Sequence, residues 1–463
     1  MKRLAPTLLA LLFACLLSLS PHTTAAQKSL DLAQCVALAV ENNIQLRQGQ
    51  NQVDIAEVNH LQQKFLFLPT VSGGLQVGRS FGTTVDNFTQ QIATSPTTGS
   101  PNIGASINLF QGFLRWHNLH SAERRLEAAA YTQQDLANDI RINTALAFFQ
   151  VTFAQDQLML AQARKAQLEQ QLARVEAQVQ SGAKPEGDRY TAKAQLATEK
   201  SAVVLAENTY NRNLLDLLQV MNLDPADGYT LVRLDISTLL SDTLLTPVEE
   251  VIANARAANP GIRAREMEAL ANKYAIQAAR SAFYPTLSLS YGMGSFYSSN
   301  RRPVLRVEPG PNGTFVPIYG DPIALGTQLQ DNFGQNLSLN LNVPIFTNYS
   351  YRRNLVVAKL NQNNAELAIT LEEMELEKKI RLAHQDCRAA IAQLAAAREQ
   401  AESAQTAYTY AEARTEAGML DFYSLLEVLN AKTRAESALL QAQYDLLLKS
   451  KVLDLYQGLP LEF

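Results

Sequence analysis

The stretch Asp331–Phe346, "DNFGQNLSLNLNVPIF", decides the fold. From Gln335 onward apolar and polar residues alternate. Leu337, Leu339, Leu341, Val343 and Ile345 form one set; Asn336, Ser338, Asn340 and Asn342 form the other. A period of two predicts a β-strand, here over 335–346, with one apolar and one hydrated face. A run rich in Ala, Gln, Glu and Leu follows from Asn348 to Ala417 without a proline. Such a run predicts helix, a rod of roughly 100 Å at about 1.5 Å per residue.

Working outward, the same arrangement is found twice. "FLPTVSGGLQVGRSF" from Phe67 parallels "FYPTLSLSYGMGSFY" from Phe283. At that spacing Pro69 matches Pro285, Asn43 matches Asn259 and Arg47 matches Arg263. Further along, Phe110 matches Phe346 and Gly182 matches Gly418 at a longer spacing, so one half carries a longer loop between its paired strands. The chain reads as a leader over 1–26, a first structural repeat with linker over 27–245, and a second repeat over 246–463. Each half runs helix, strand, loop, strand, long helix, turn, helix. Further strands are predicted at 70–80, 102–111 and 286–297. In each the apolar residues take odd positions: Val71, Leu75 and Val77; Ile103, Ala105, Ile107 and Leu109; Leu287, Leu289, Tyr291 and Met293.

A half-buried sheet in a soluble domain would show the same alternation. Length favours membrane, because a tilted strand needs about 10 residues to cross lipid. Aromatics at the strand ends fit an interfacial girdle: Phe81, Phe110, Phe113 and Trp116, then Phe283, Tyr284, Phe346 and Tyr349. The polar stretches 82–100 and 299–333 read as turns outside any core. Four strands cannot close a barrel, and open strand edges cannot face lipid. Other copies of the chain must supply the rest. Two copies give a filled eight-stranded barrel; three are the fewest that leave a hydrated lumen.

The helices carry their own signal. Leu168, Leu172, Val175 and Val179 step by fours and threes, as do Leu367, Leu371 and Met374, and Cys387, Ile391 and Leu394. That is coiled-coil spacing. A first long helix is predicted over 113–179. Returning helices are predicted at 188–221 and 425–456, after Gly-marked turns at 181–187 and 417–421. The segment 224–245 joins the halves and is expected to pack around the helices.

Composition excludes several classes. The chain has 463 residues, a formal net charge of −4 and 3 cysteines. No basic surface suits nucleic acid, and no disulfide framework or cysteine-rich zinc module can be built. Lys2 and Arg3, an apolar run from Leu8 to Leu19, and Thr24-Ala25-Ala26 make a secretory signal. "LFAC" at Cys15 offers acylation as a rival reading. No later stretch is apolar enough for a membrane helix. There is no G-x-S-x-G or H-E-x-x-H, and "GAKPEGDR" at Gly182 lacks the Lys-Ser/Thr of a phosphate loop. No cofactor and no catalysis are expected. His117 and His120 stand one helical turn apart and could hold a metal, or be merely solvated. His384 falls near the coiled-coil seam. Cys35 and Cys387 could pair or stay as inert buried thiols.

From "SLDLAQCVALAVENN" to "AQYDLLLKSKVLDLYQG" the sequence resembles the TolC-like outer-membrane efflux family. The resemblance rests on the duplicated layout, the "LPT" and "YPT" strand entries, the Gly turns, and the series Tyr444, Lys449, Asp454, Tyr456 and Gly458. It implies an α+β membrane protein. A trimeric 12-stranded outer-membrane β-barrel, four strands per chain, would be continued by a long α-helical coiled-coil barrel through the periplasm. It implies a passive exit duct for a tripartite efflux or type I secretion system. The partners would be a homotrimer, outer-membrane lipid, a periplasmic adaptor docking at Gly182 and Gly418, and an inner-membrane pump. It places a channel gate near the second Gly turn, at Asp421, Glu427 and Asn430, with Asp188 as first-half counterpart. Asn430 stands where relatives often carry an acid, which leaves the gate less charged or shifted. The same acids could instead complement helix N-termini. Pro344 has Asn108 as its counterpart, so the strand ends need not match. Leu337, Leu339, Leu341 and Val343 would face lipid. Two rivals are a structural periplasm-spanning coiled coil with a β anchor and a secreted hydrolase, for which no nucleophile is apparent.

Overall fold

A computed structural model describes residues 28–86, 91–225, 228–233 and 246–456. The leader with Cys15, most of the linker, and Gly458 lie outside the described residues. In chain order the elements are β1 (Lys28–Leu30), α1 (Leu32–Asn42), α2 (Ile44–Phe65), β2 (Thr70–Arg79), β3 (Thr83–Asp86), β4 (Gln91–Thr94), β5 (Thr97–Gln111), α3 (Leu114–Gln180), α4 (Glu186–Val220) and β6 (Tyr229–Leu231). They continue with α5 (Val248–Ala258), α6 (Pro260–Ser281), β7 (Thr286–Gly294), β8 (Tyr297–Ser298), β9 (Val304–Pro309), β10 (Phe315–Tyr319), α7 (Leu325–Asp331), β11 (Gly334–Asn342), α8 (Ser350–Glu416) and α9 (Phe422–Tyr456). Corresponding helices agree in length: α3 and α8 have 67 residues each, α4 and α9 have 35 each.

The chain forms two compact units, each drawing on both sequence halves. The first comprises residues up to Gln50, Thr132–Ile262 and Glu372 onward. The second comprises Asn51–Tyr131 and Arg263–Leu371.

The first unit is helical and carries its own core. Along α8 the buried residues are Leu376, Ile380, Cys387, Ala390, Leu394, Ala397, Ala401, Tyr408 and Ala411, a three-four alternation. Small residues in that seam let helices approach closely. Leu168, Val175, Ala192, Leu196, Phe422, Leu425, Leu426 and Leu429 join Tyr408 and Ala411 in one cluster, so both helical hairpins of the chain share a core. A second cluster sets Phe148, Val151, Leu217 and Met221 against Cys35 and Ala39 of α1. Helix α1 starts with a capping box: Asp31 accepts from the Gln34 backbone N–H at 2.7 Å and Gln34 accepts from the Asp31 N–H at 3.1 Å. Parallel pairing of β1 with β6 ties the start of the chain to the segment after α4.

The second unit holds an antiparallel sheet in the order β11-β7-β5-β2. Its register aligns the apolar positions in rows, as in Leu337–Tyr291–Ala105–Val71, with Ser338–Ser290–Ser106–Thr70 beside it. The strands differ from expectation in three ways. Strand β5 begins at Thr97 and not at 102, because β2 pairs along its whole length and carries the ladder past Pro101. A bulge between Asn108 and Phe110 sets Phe110, not Leu109, opposite Leu287. Strand β11 ends at Asn342, so Val343 lies just beyond it, ahead of Pro344, which has no N–H to donate. The stretches 82–100 and 299–333, expected as turns, contain the hairpins β3/β4 and β9/β10 and the short helix α7.

Strand gives way to helix through paired left-handed residues: Gly112 and Phe113 at φ 60 and 67, Asn348 and Tyr349 at φ 48 and 68. Bulky side chains rarely adopt that region. Gly112 has a further constraint, since a Cβ there would sit 2.7 Å from the Ser281 carbonyl oxygen and 2.8 Å from Tyr284 Cβ.

Candidate functional site

In the first unit α3 turns into α4, and α8 into α9, through the same backbone device. Helix α3 ends with Gly182 at φ 74; Gly182 N–H bonds Val179 O at 3.0 Å and Ala183 N–H bonds Gln178 O at 2.8 Å. Helix α8 ends with Gly418 at φ 73; Gly418 N–H bonds Thr415 O at 3.1 Å and Met419 N–H bonds Arg414 O at 2.9 Å. Both are Schellman ends, whose left-handed residue favours glycine. Nothing lies within 4 Å of a Cβ built at either glycine. Open space, not crowding, surrounds both turns.

The four residues expected at a gate have separate local roles in one chain. Asp421 precedes α9 and accepts from Ser424 N–H at 2.9 Å and Ser424 Oγ at 2.7 Å. These bonds hold its carboxyl below the usual aspartate range, the backbone one contributing most. That is an N-cap role. Asp188, in the first turn of α4, lies 3.9 Å from Lys184 Nζ. Asn430 Oδ1 accepts from Gln195 Nε2 at 3.2 Å, joining α9 to α4. Glu427 is exposed and, among the described residues, has no hydrogen-bond or ion-pair partner.

Further cross-links in this unit had no local sequence signal. Arg164 Nη2 donates to Thr433 O at 2.6 Å and Ser437 Oγ at 2.9 Å. Burial lowers its pKa, while Glu199 and Glu436 oppose the shift. Gln167 donates to Tyr408 Oη at 3.0 Å, and Lys184 Nζ lies 5.1 Å from the Phe422 ring centroid. Asp156, 7 % exposed, accepts from Arg233 Nε at 2.9 Å and Tyr444 Oη at 2.8 Å. A charge within an Ala- and Leu-rich stripe is the hint, but its partners come from α9 and from the segment just after β6.

Cys35 and Cys387 are both free and buried, in different clusters. Burial pushes the Cys35 thiol up to about 12, keeping it protonated and inert. In the second unit His120 Nδ1 lies 2.9 Å from Glu123 Oε2, and its ring packs against Trp116 and Tyr274. Among the described residues no three side chains are grouped to hold a metal.

The sheet of the second unit is bare. Leu337, Leu339 and Leu341 are 70 %, 61 % and 66 % exposed, and Asn336 and Asn340 opposite them are exposed too. Val343 is also exposed. Strands β2 and β11 each have a free edge. No described helix is long and apolar enough to cross a membrane.

Known proteins share this architecture and sequence. The outer membrane efflux protein family matches residues 35–223 and again 251–459. The chain is 23% identical to the outer membrane efflux protein BepC of Brucella suis over 447 residues, covering 95% of this chain and 88% of that one. It is 25% identical to the outer membrane protein TolC of Escherichia coli over 459 residues, covering 97% and 85%. In structure it is similar to CusC, with a TM-score of 0.76 at 17% identity over 94% of both chains. It is also similar to the Campylobacter jejuni CmeC outer membrane channel, with a TM-score of 0.74 at 18% identity over 92% and 85%. With the family matched along both halves of its sequence, the chain belongs to the outer membrane efflux proteins and resides in the outer membrane.

Proposed function

We propose that three copies of this chain close a 12-stranded barrel continued by a barrel of helices, and that the assembly is the passive exit duct of a tripartite efflux or type I secretion system. The sheet β11-β7-β5-β2, extended at its far end by the short β8 beside β5, has two free edges and two exposed faces, and it carries this reading. Such a sheet cannot stand in lipid alone, and equal copies can satisfy its edges by pairing β2 of one with β11 of the next. Leu337, Leu339, Leu341 and Val343 then meet lipid, and the Asn and Ser positions line a hydrated lumen. The coiled-coil spacing of α8 continues through Leu360, Leu367, Leu371 and Met374, which are exposed in one chain and are covered by a neighbouring copy. Matching helix lengths support two structural repeats, 27–245 and 246–463.

The open space at Gly182 and Gly418 suits docking of a periplasmic adaptor, which links the duct to an inner-membrane pump. Three unpaired Glu427 carboxylates, one per copy, form the gate ring. Asn430, held by Gln195, adds a neutral layer, and Asp188 and Asp421 lie at the mouth. Within about 8 Å, the Debye length at physiological salt, such charges repel and attract cations.

Mass measurement in mild detergent tests the assembly and should give three times the mature chain. A stable monomer with protected strands would falsify it. In planar bilayers Glu427→Ala should reduce cation selectivity and Glu427→Lys reverse it, with the trimer intact. Channels that keep the parent selectivity in both variants place the constriction elsewhere.

A further inference from the structure

Residues 295–333 join β7 to β11 at the sheet end away from the helices. Their base is rigidly held. Gln328 is 0% exposed; its Oε1 accepts from Ser298 N–H at 3.0 Å and its Nε2 donates to Ser298 O at 3.0 Å and Ile323 O at 2.7 Å. One side-chain amide thus substitutes for a strand neighbour. Asn332 Nδ2 donates to Phe296 O at 2.7 Å, and Arg301 donates to Asn332 Oδ1.

From this base rises the hairpin β9/β10, which pairs with no third strand among the described residues. Its register sets Pro317 opposite Val307 and Phe315 opposite Pro309. Period two gathers Val307, Pro309, Phe315 and Pro317 on one face, and a register shift at Ile318/Tyr319 brings Val304 and Tyr319 to it while leaving Leu305 as the extra residue. Leu305 is 67 % exposed and Phe315 76 %. The other face carries Arg306 and Glu308, paired at 2.6 Å, beside Val316 and Ile318. Two prolines remove donors from the hairpin, which disfavours addition of a further strand. Arg302 stands exposed just before β9, with no hydrogen bond or ion pair among the described residues. Asp321, just past β10, has none either.

An uncovered apolar face beside an unneutralised arginine is the pattern of an element lying in a lipid interface. A guanidinium matches a phosphate with two parallel bonds. We propose that the β9/β10 hairpin seats its apolar face in the outer leaflet and that Arg302, with Arg301 beside it, binds a phosphate of a glycolipid headgroup. The inference rests on the membrane orientation proposed above, with the helices on the periplasmic side.

Native mass spectrometry of the full-length assembly in neutral detergent tests it, with diphosphorylated lipid A as probe. The parent should bind it, and bind fully dephosphorylated lipid A more weakly. Arg302→Gln combined with Phe315→Ser should lower affinity by about tenfold or more, with oligomer mass unchanged. Millimolar inorganic phosphate should not displace the lipid; displacement would assign the arginine to free phosphate. Equal binding by parent and variant overturns the proposal. So does dissociation of the variant oligomer, which would give the apolar face to a second copy of the chain. A parent that is monomeric from the outset counts against the duct itself.

Discussion

The two compact units of this chain solve the burial problem in different ways. In the helical unit Phe148, Ile380 and Leu447 are 1 %, 0 % and 1 % exposed, and both helical hairpins share a core. In the other unit the strands that carry Leu337, Leu339 and Leu341 hide almost none of that apolar surface. Both patterns are equally apolar in sequence. The difference teaches that period alone does not say what covers a face. A long helix that folds back on an antiparallel partner finds cover within its own chain, whereas this sheet has nothing of its own to lie against. The first unit therefore carries a core of its own, and the apolar rows of the second are left uncovered within one chain.

Three substitutions test this contrast, from the largest effect to the smallest. Phe148→Ala opens a cavity in the helical core and should cost about 3–5 kcal/mol. It would be read as a lower denaturation midpoint of the helical circular-dichroism signal. A shift near zero would mean that this core, too, is completed only by assembly. Leu339→Arg should cost about 2–4 kcal/mol when the sheet sits in lipid, measured by reversible unfolding from bilayers, while Asn340→Arg should be tolerated. Equal cost at both positions would make the sheet a soluble one. Asp421→Ala should have the smallest effect and should depend on pH. The Asp421 carboxyl is held below its usual range by Ser424, so its contribution is present above the ordinary aspartate value and is lost as pH falls through the lower folded value. Parent and variant should melt apart at pH 7 and together once the pH has fallen below the lowered folded value of Asp421. A gap that persists in acid would show that Asp421 acts by more than its charge.

Several elements were legible because they depend on neighbours along the chain. The Gly182 and Gly418 turns lie where glycine after a long apolar repeat places them, since left-handed backbone is local chemistry. Strand β7 follows its alternation closely. Strand β5 was cut short at Pro101 because the residues that carry it through, in β2, lie elsewhere in the sequence. The hairpin β9/β10 was hidden among prolines and glycines that also serve turns. Of the candidate gate, Asp421 was readable as a cap, but nothing near Asn430 announces Gln195, which sits in the other half of the chain.

By itself the sequence determined the alternation of strand and coiled-coil periods, the helix lengths they imply and the turns. These follow from backbone sterics and from spacing along one chain. Only the tertiary structure decided that the helical seam is covered and the sheet's apolar rows are not, that Phe110 rather than Leu109 takes the apolar row, and that Glu427 is left without a partner among the described residues while Asn430 has one. Those outcomes depend on which distant segments meet, because burial and hydrogen bonding are settled between surfaces and not along the chain.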